Sequence, residues 1–337
     1  MPVLLLLIFP AILYSQDKPR QRAGHWHIGL TSHDYGITLG NAARTNGLRI
    51  NFEDADLDIV NGVNLTIWKP REPVSGRVNG LSLGGAPGAD YLNGVAIGVV
   101  GVVAEQRARW VTIGGLGVVA NGQLDGLAIG GLGTVSDGDI HGVAIGGLGT
   151  VANRNLHGVA IAGLGTVANG NLTGIAVAGL GTVTNNDLSG IAIAGFGTVA
   201  NGDTRGISVG GLASVTNRSL TGVGIGGLAV VANRALHGLG IGGLVVVADQ
   251  LHGVGIAGYR IDAPSVEGWS TALYVKTSEL RGVSIGAYNR VRGPQIGLSI
   301  GLYNSARVLN GLQIGVLNRA QNNRGIFRML PIVNAHF

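Results

Sequence analysis

One glycine returns at a fixed interval through the middle of this chain, and that interval limits what the chain can fold into. Gly126, Gly142, Gly158, Gly174, Gly190, Gly206, Gly222 and Gly238 follow one another every 16 residues. Gly94 extends the phase backwards, Trp110 fills the glycine slot between Gly94 and Gly126, and Gly253 arrives one residue early. A unit this short cannot bury enough apolar surface to offset the entropy of ordering it, so it is stable only in an array with caps at both ends. The chain holds 61 glycines among 337 residues. Each glycine inside a strand costs roughly 0.5 to 1 kcal/mol relative to alanine, so so many of them signal close backbone approach at many places.

The repeat reads, from Leu156 to Asn171, Leu-His-Gly-Val-Ala-Ile-Ala-Gly-Leu-Gly-Thr-Val-Ala-Asn-Gly-Asn. Its halves resemble each other, with Leu156 matching Leu164, Val159 matching Val167 and Ala160 matching Ala168, which predicts two short strands per repeat. Val159 and Ile161 alternate with Ala160 and Ala162, the period of two of a strand. The turn that follows carries Asn or Asp in every copy, from Asn121 through Asn169 to Asp249. Such side chains bond their own turn backbone and, stacked, can form a ladder.

The ends differ from the middle. Residues 17–91 read as an N-terminal cap with a looser motif at Gly47, Gly62 and Gly80, and 92–258 as the 16-residue repeats. Residues 259–281, with Pro264, Trp269 and Tyr274, read as an interruption. Residues 282–337 read as 14-residue repeats, spaced by Gly297, Gly311 and Gly325, and a C-terminal cap.

The Gly-Leu-Gly repeats, the Ile-Gly-Leu-Tyr-Asn unit at 300–304 and the Leu-Pro-Ile-Val-Asn-Ala-His-Phe ending resemble the bacterial surface-repeat-containing proteins first named from spirochaetes. The resemblance covers most of the chain. It implies export and surface exposure, and no activity.

The expected fold is all-β: a β-solenoid-like stack of 16-residue, then 14-residue coils with capping ends, Val and Ile pointing inward and coils ~4.8 Å apart. A closed antiparallel β-barrel, one strand and turn per repeat, is the alternative, favoured by a mean hydropathy of +0.36 and by Phe337. Residues 111–258 hold one aromatic, Phe196, where a membrane barrel wants two girdles. A ring of hairpins also fits the repeat.

Residues 1–16, with the apolar run Val3 to Leu13 and small Ser15, read as a signal peptide. The absence of cysteine excludes disulfides, thiolate metal sites and a cysteine nucleophile. A formal charge of +5 is too mild to indicate nucleic acid. Seven arginines and no acidic residue lie between Arg281 and Phe337. That end is either a charged cap or a contact for an anionic lipid or polysaccharide.

Several motifs carry chemistry elsewhere and are explained here by repetition. Gly-x-Ser-x-Gly surrounds Ser82, Ser208, Ser284 and Ser299, but the slot also holds Ala96, Thr112, Ala144 and Gln313, which reads as a small outward position rather than a nucleophile. Gly222, Gly224 and Gly227, and likewise Gly238, Gly240 and Gly243, spell Gly-x-Gly-x-x-Gly without a following helix to meet a phosphate. His141 with His157, and His237 with His252, share one repeat position and so should lie close, the spacing a metal pair needs; His25 and His27 could share a strand face. Glu53, Asp54, Asp56 and Asp58 lack the glycine and distal glutamate of a calcium loop and read as a solvated edge. No catalytic, cofactor-binding or metal-binding residue and no cofactor is assigned. The expected function is an exported, non-enzymatic cell-envelope or surface protein with a structural or adhesive role, against an outer-membrane barrel acting as channel or scaffold.

Overall fold

The computed structural model describes residues 26–337; segment 1–16, expected to be a signal peptide, and His25 lie outside the described residues. The chain forms a β-solenoid. In the repeat read above, strand Leu156–Ala162 turns at Gly163-Leu164 into strand Gly165–Ala168, and Asn169 to Asn171 return the chain to the next coil. Each strand pairs in parallel with its own copy one coil away: Gly158 faces Gly142 and Gly174, and Gly165 faces Gly149 and Gly181. Parallel pairing in an open stack excludes both the antiparallel barrel and the ring of hairpins.

The register reaches further than the strict sequence period. Gly36, Gly47, Gly62, Gly80 and Gly94 already stack in one column, so the stretch that reads as a cap is mostly coil. Residues 259–281 continue the stack through Gly253, Gly268 and Gly282. The column ends at Gly311, whose neighbour is Gly297; Gly325 instead opens a 3₁₀ turn, Gly325–Arg328. Capping falls to two antiparallel strands. His27–Ser32 covers Tyr35–Gly40 at one end, and Met329–His336 folds back on the last coil with His336 opposite Gly311 at the other. Each cap pairs a row of backbone groups that would otherwise recruit another chain.

The core reverses the expected orientation. Leu156, Ala160, Thr166 and Ala168 are buried, whereas Val159, Ile161 and Val167 face outward. The two strands of a coil approach so closely that a Cβ added to Gly224 would stand 3.1 Å from Val230 on the facing strand, besides 2.7 Å from Leu220 on its own. An interior this thin is filled mainly by Ala, Gly, Ser and Thr with one large aliphatic residue in most coils, and a single valine such as Val118, Val230 or Val246 can stand in the buried threonine slot, while the positions of Val159, Ile161 and Val167 face outward. Two of the buried threonines bond across the gap to main-chain carbonyls, Thr134 to that of Ile145 at 2.9 Å and Thr150 to that of Ile161 at 3.2 Å.

Candidate functional surface

With a filled interior, whatever the molecule does it does along its outside. One edge is polar. Asn169 donates from Nδ2 to Asn153 Oδ1 at 2.9 Å, Asn185 to Asn169 at 3.0 Å and Asn201 to Asn185 at 3.1 Å, and the ladder runs on to Asn217 and Asn233. A second ladder runs beside it, where the backbone N–H of Asn155 donates to Asp139 Oδ1 and that of Asn171 to Asn155 Oδ1, both at 2.9 Å. Partial burial of Asp139 pushes its carboxyl upward, but the Asn155 backbone and amide donors, with His141 and Arg154 nearby, outweigh it and hold the group below its ordinary value.

The paired histidines do meet on this edge. The rings of His141 and His157 stack with centroids 5.0 Å apart, and those of His237 and His252 at 4.8 Å. Each pair ends on a carboxylate: Asp125 lies 3.4 Å from His141, and Glu267 3.3 Å from His252. Stacked rings present their nitrogens side by side rather than toward a common point, and among the described residues no group of three or more such side chains is arranged to hold a metal ion. His27 lies in the exposed first strand.

The four serines point inward, not outward. Ser82, Ser208, Ser284 and Ser299 are all buried. Ser208 bonds Thr198 at 2.6 Å and Ser214 at 2.7 Å, and Ser284 donates to Asn289 at 2.8 Å. A nucleophile needs exposure and an adjacent base, and these have neither. The glycine motifs serve packing: a Cβ on Gly222 or Gly227 would strike the backbone of the coil below, at 2.2 Å from Gly206 and 1.9 Å from Gly211. Strand, not helix, follows them.

Within the acidic cluster Asp58 is exposed as a solvated edge would have it, but Asp54 is not. Asp54 is buried against the equally buried Arg49, and accepts hydrogen bonds from Asn51 at 2.8 Å and Thr66 at 2.8 Å. Arg49 further donates to the Ala42 carbonyl at 3.0 Å and to Asn64 at 2.9 Å. Glu53 pairs with Arg71 and Asp58 with Arg44, so three of the four carboxylates are committed to arginines.

At the C-terminal end Tyr274, Tyr288 and Tyr303 stack at 5.1 and 4.9 Å on the outside, beside the exposed Arg290 and Arg292. Inside the same coils Asn289 donates to Asn304 and Asn304 to Asn318, each at 2.7 Å, all three buried. The Tyr-Asn pair of the Ile-Gly-Leu-Tyr-Asn unit was the available signal for both ladders.

The edge opposite the asparagines is apolar, and sequence reading missed it. Leu164 at the turn is 47% exposed and repeats as Leu132, Leu148, Leu180, Phe196 and Leu212. Val159 and Ile161 flank it on one side and Val167 on the other, each with aliphatic copies above and below. The recurrent Leu of Gly-Leu-Gly was the available signal.

Comparison with models of protein families, with curated proteins and with solved structures finds no match.

Proposed function

We propose that this chain is an exported, non-enzymatic protein of the bacterial cell envelope whose role is structural or adhesive. The observation that carries the reading is the filled, repeated coil: its polar groups are spent on ladders between copies, as in Asn153, Asn169 and Asn185, rather than converging on a pocket. A stack of this kind is a rod that offers the same surface at every level, which suits lying along or spanning something extended. The apolar segment at 3–13 supports export. A channel is not supported, since Leu156, Ala160 and Ala168 close the interior.

The test is fractionation of cells expressing the full chain, with mass measurement of the N-terminus and protease treatment of intact cells. A protein found in the envelope and beginning near Asp17 is the expected result. A cytosolic protein retaining residues 1–16 would overturn the reading.

A further inference from the structure

The charged and apolar residues of the central coils are separated completely. Between residues 92 and 258 every Asp, Glu and Arg falls on copies of positions 153 to 157, as do His141, His157, His237 and His252. Between 111 and 258 the other edge, meaning the outward positions of both strands and the turn between them, contains only Gly, Ala, Val, Ile, Leu and Phe. The apolar edge is a ridge. Leu164 stands on its crest, Val159 and Ile161 on one flank, and Val167 on the other, with valine in that last slot in every copy from Val103 to Val247. At ~4.8 Å per coil the ridge between Gly94 and Gly253 runs about 50 Å without a charge on it.

We propose that this ridge lies in the acyl region of a lipid leaflet, with the solenoid axis parallel to the membrane and the Asn, Arg and His edge at the headgroups. The inference rests on the envelope reading for its biological setting. A convex crest with two diverging apolar flanks decides the occupant. A second rigid rod covers one flank and leaves the crest and the other flank wet, whereas fluid chains cover all three at once. The arrangement is that of an interfacial amphipathic helix, which sinks its apolar face about 5–10 Å, here built from stacked coils. Trp110, 71% exposed in the glycine column between the charged position of Arg109 and the aliphatic position of Val111, stands at the boundary where an indole is best accommodated.

The test is flotation of the purified full chain with phosphatidylcholine vesicles at low and molar salt, followed by tryptophan emission. It uses the wild type and the triple variant Leu148→Asp, Leu164→Asp, Leu180→Asp. These side chains are half exposed at a turn, and unchanged far-UV circular dichroism and melting will show the variant folded. Expected are salt-resistant binding with a blue-shifted emission, and a loss of binding of about tenfold or more in the variant. Wild type that stays unbound, or a folded variant that binds equally, would overturn the proposal. So would binding confined to anionic vesicles and released by salt, which would assign the contact to the arginine-rich end. A discrete dimer in the absence of lipid, dispersed by the three aspartates, would assign the ridge to a second copy and equally overturn it. The envelope reading fails by fractionation alone, so the two failures are distinct.

Discussion

A Cβ placed on Gly158 would stand 2.1 Å from the carbonyl oxygen of Gly142, in the same column one coil below. Gly158 also holds a φ of +127°, a region L side chains avoid. Gly158→Ala therefore meets a steric and a conformational obstacle together, and the coil must open or tilt. The expected cost is about 2–4 kcal/mol, combining ~1–3 kcal/mol of backbone strain with local repacking. Hydrogen exchange should place the loss in the coils around 142–174, because each coil contacts only its neighbours.

Trp110 occupies the same column at φ +82° and is the natural exception. A bulky residue in that region is strained. Trp110→Gly relieves the strain while giving the unfolded chain more freedom, so the net gain is about 1 kcal/mol. A rise of a few degrees in melting temperature is expected, and a fall would show that the indole is held by contacts worth more than the strain.

The orientation of the strands is tested by one pair of variants. Ala160→Val enlarges a fully buried side chain in a thin core and should cost about 1–3 kcal/mol. Val159→Thr, the next residue but facing outward, should fall within about 0.5 kcal/mol of wild type. Denaturant unfolding that ranks them in the opposite order would mean that the faces are reversed.

Asp54→Leu removes the acceptor of a buried pair and strands the Arg49 guanidinium, a loss of about 3–5 kcal/mol. The double variant Arg49→Met, Asp54→Leu removes both charges and should recover much of it. Limited proteolysis should detect the single variant by new cleavage before residue 94, with the later coils intact.

The lowered carboxyl of Asp139 makes a small contribution to stability that is present above the ordinary carboxylate pKa and is lost as pH falls through the folded-state value. Asp139→Asn keeps the Oδ1 acceptor that Asn155 uses and removes the titration. Its melting temperature should match wild type near neutrality and decline less on acidification; an identical acid limb would assign that limb to other groups.

What could be read from the sequence was whatever repeats in step with the coil. The Gly126-to-Gly238 spacing, the two strands per unit and the Asn153-Asn169 ladder each follow from one residue type recurring at one interval, because neighbours in a parallel stack are copies of themselves. Period also misled. Residues 17–91 and 259–281 read as cap and interruption because their loops vary in length, yet their strands hold register through Gly47, Gly62 and Gly268, since pairing is set by the strands and not by the loops between them. Asp54 read as surface because charge is ordinarily solvated; its contact with the buried Arg49, with the hydrogen bonds from Asn51 and Thr66, is what stabilises it inside.

The sequence by itself determined that this chain is an all-β array of short repeats, with glycine where the backbones touch and Asn or Asp at the turn, and left the stack of coils, settled by the parallel register, open against a barrel or a ring of hairpins. It did not determine which parity of the strand faces inward, since alternation of Val and Ala has a period of two and no sign. That was decided by the distance between the two strands of a coil, a tertiary quantity. At that separation Ala160 fits opposite its neighbours and Val159 does not, so beyond the buried column of Leu156 the Val and Ile of the repeat go outside and the apolar ridge is formed.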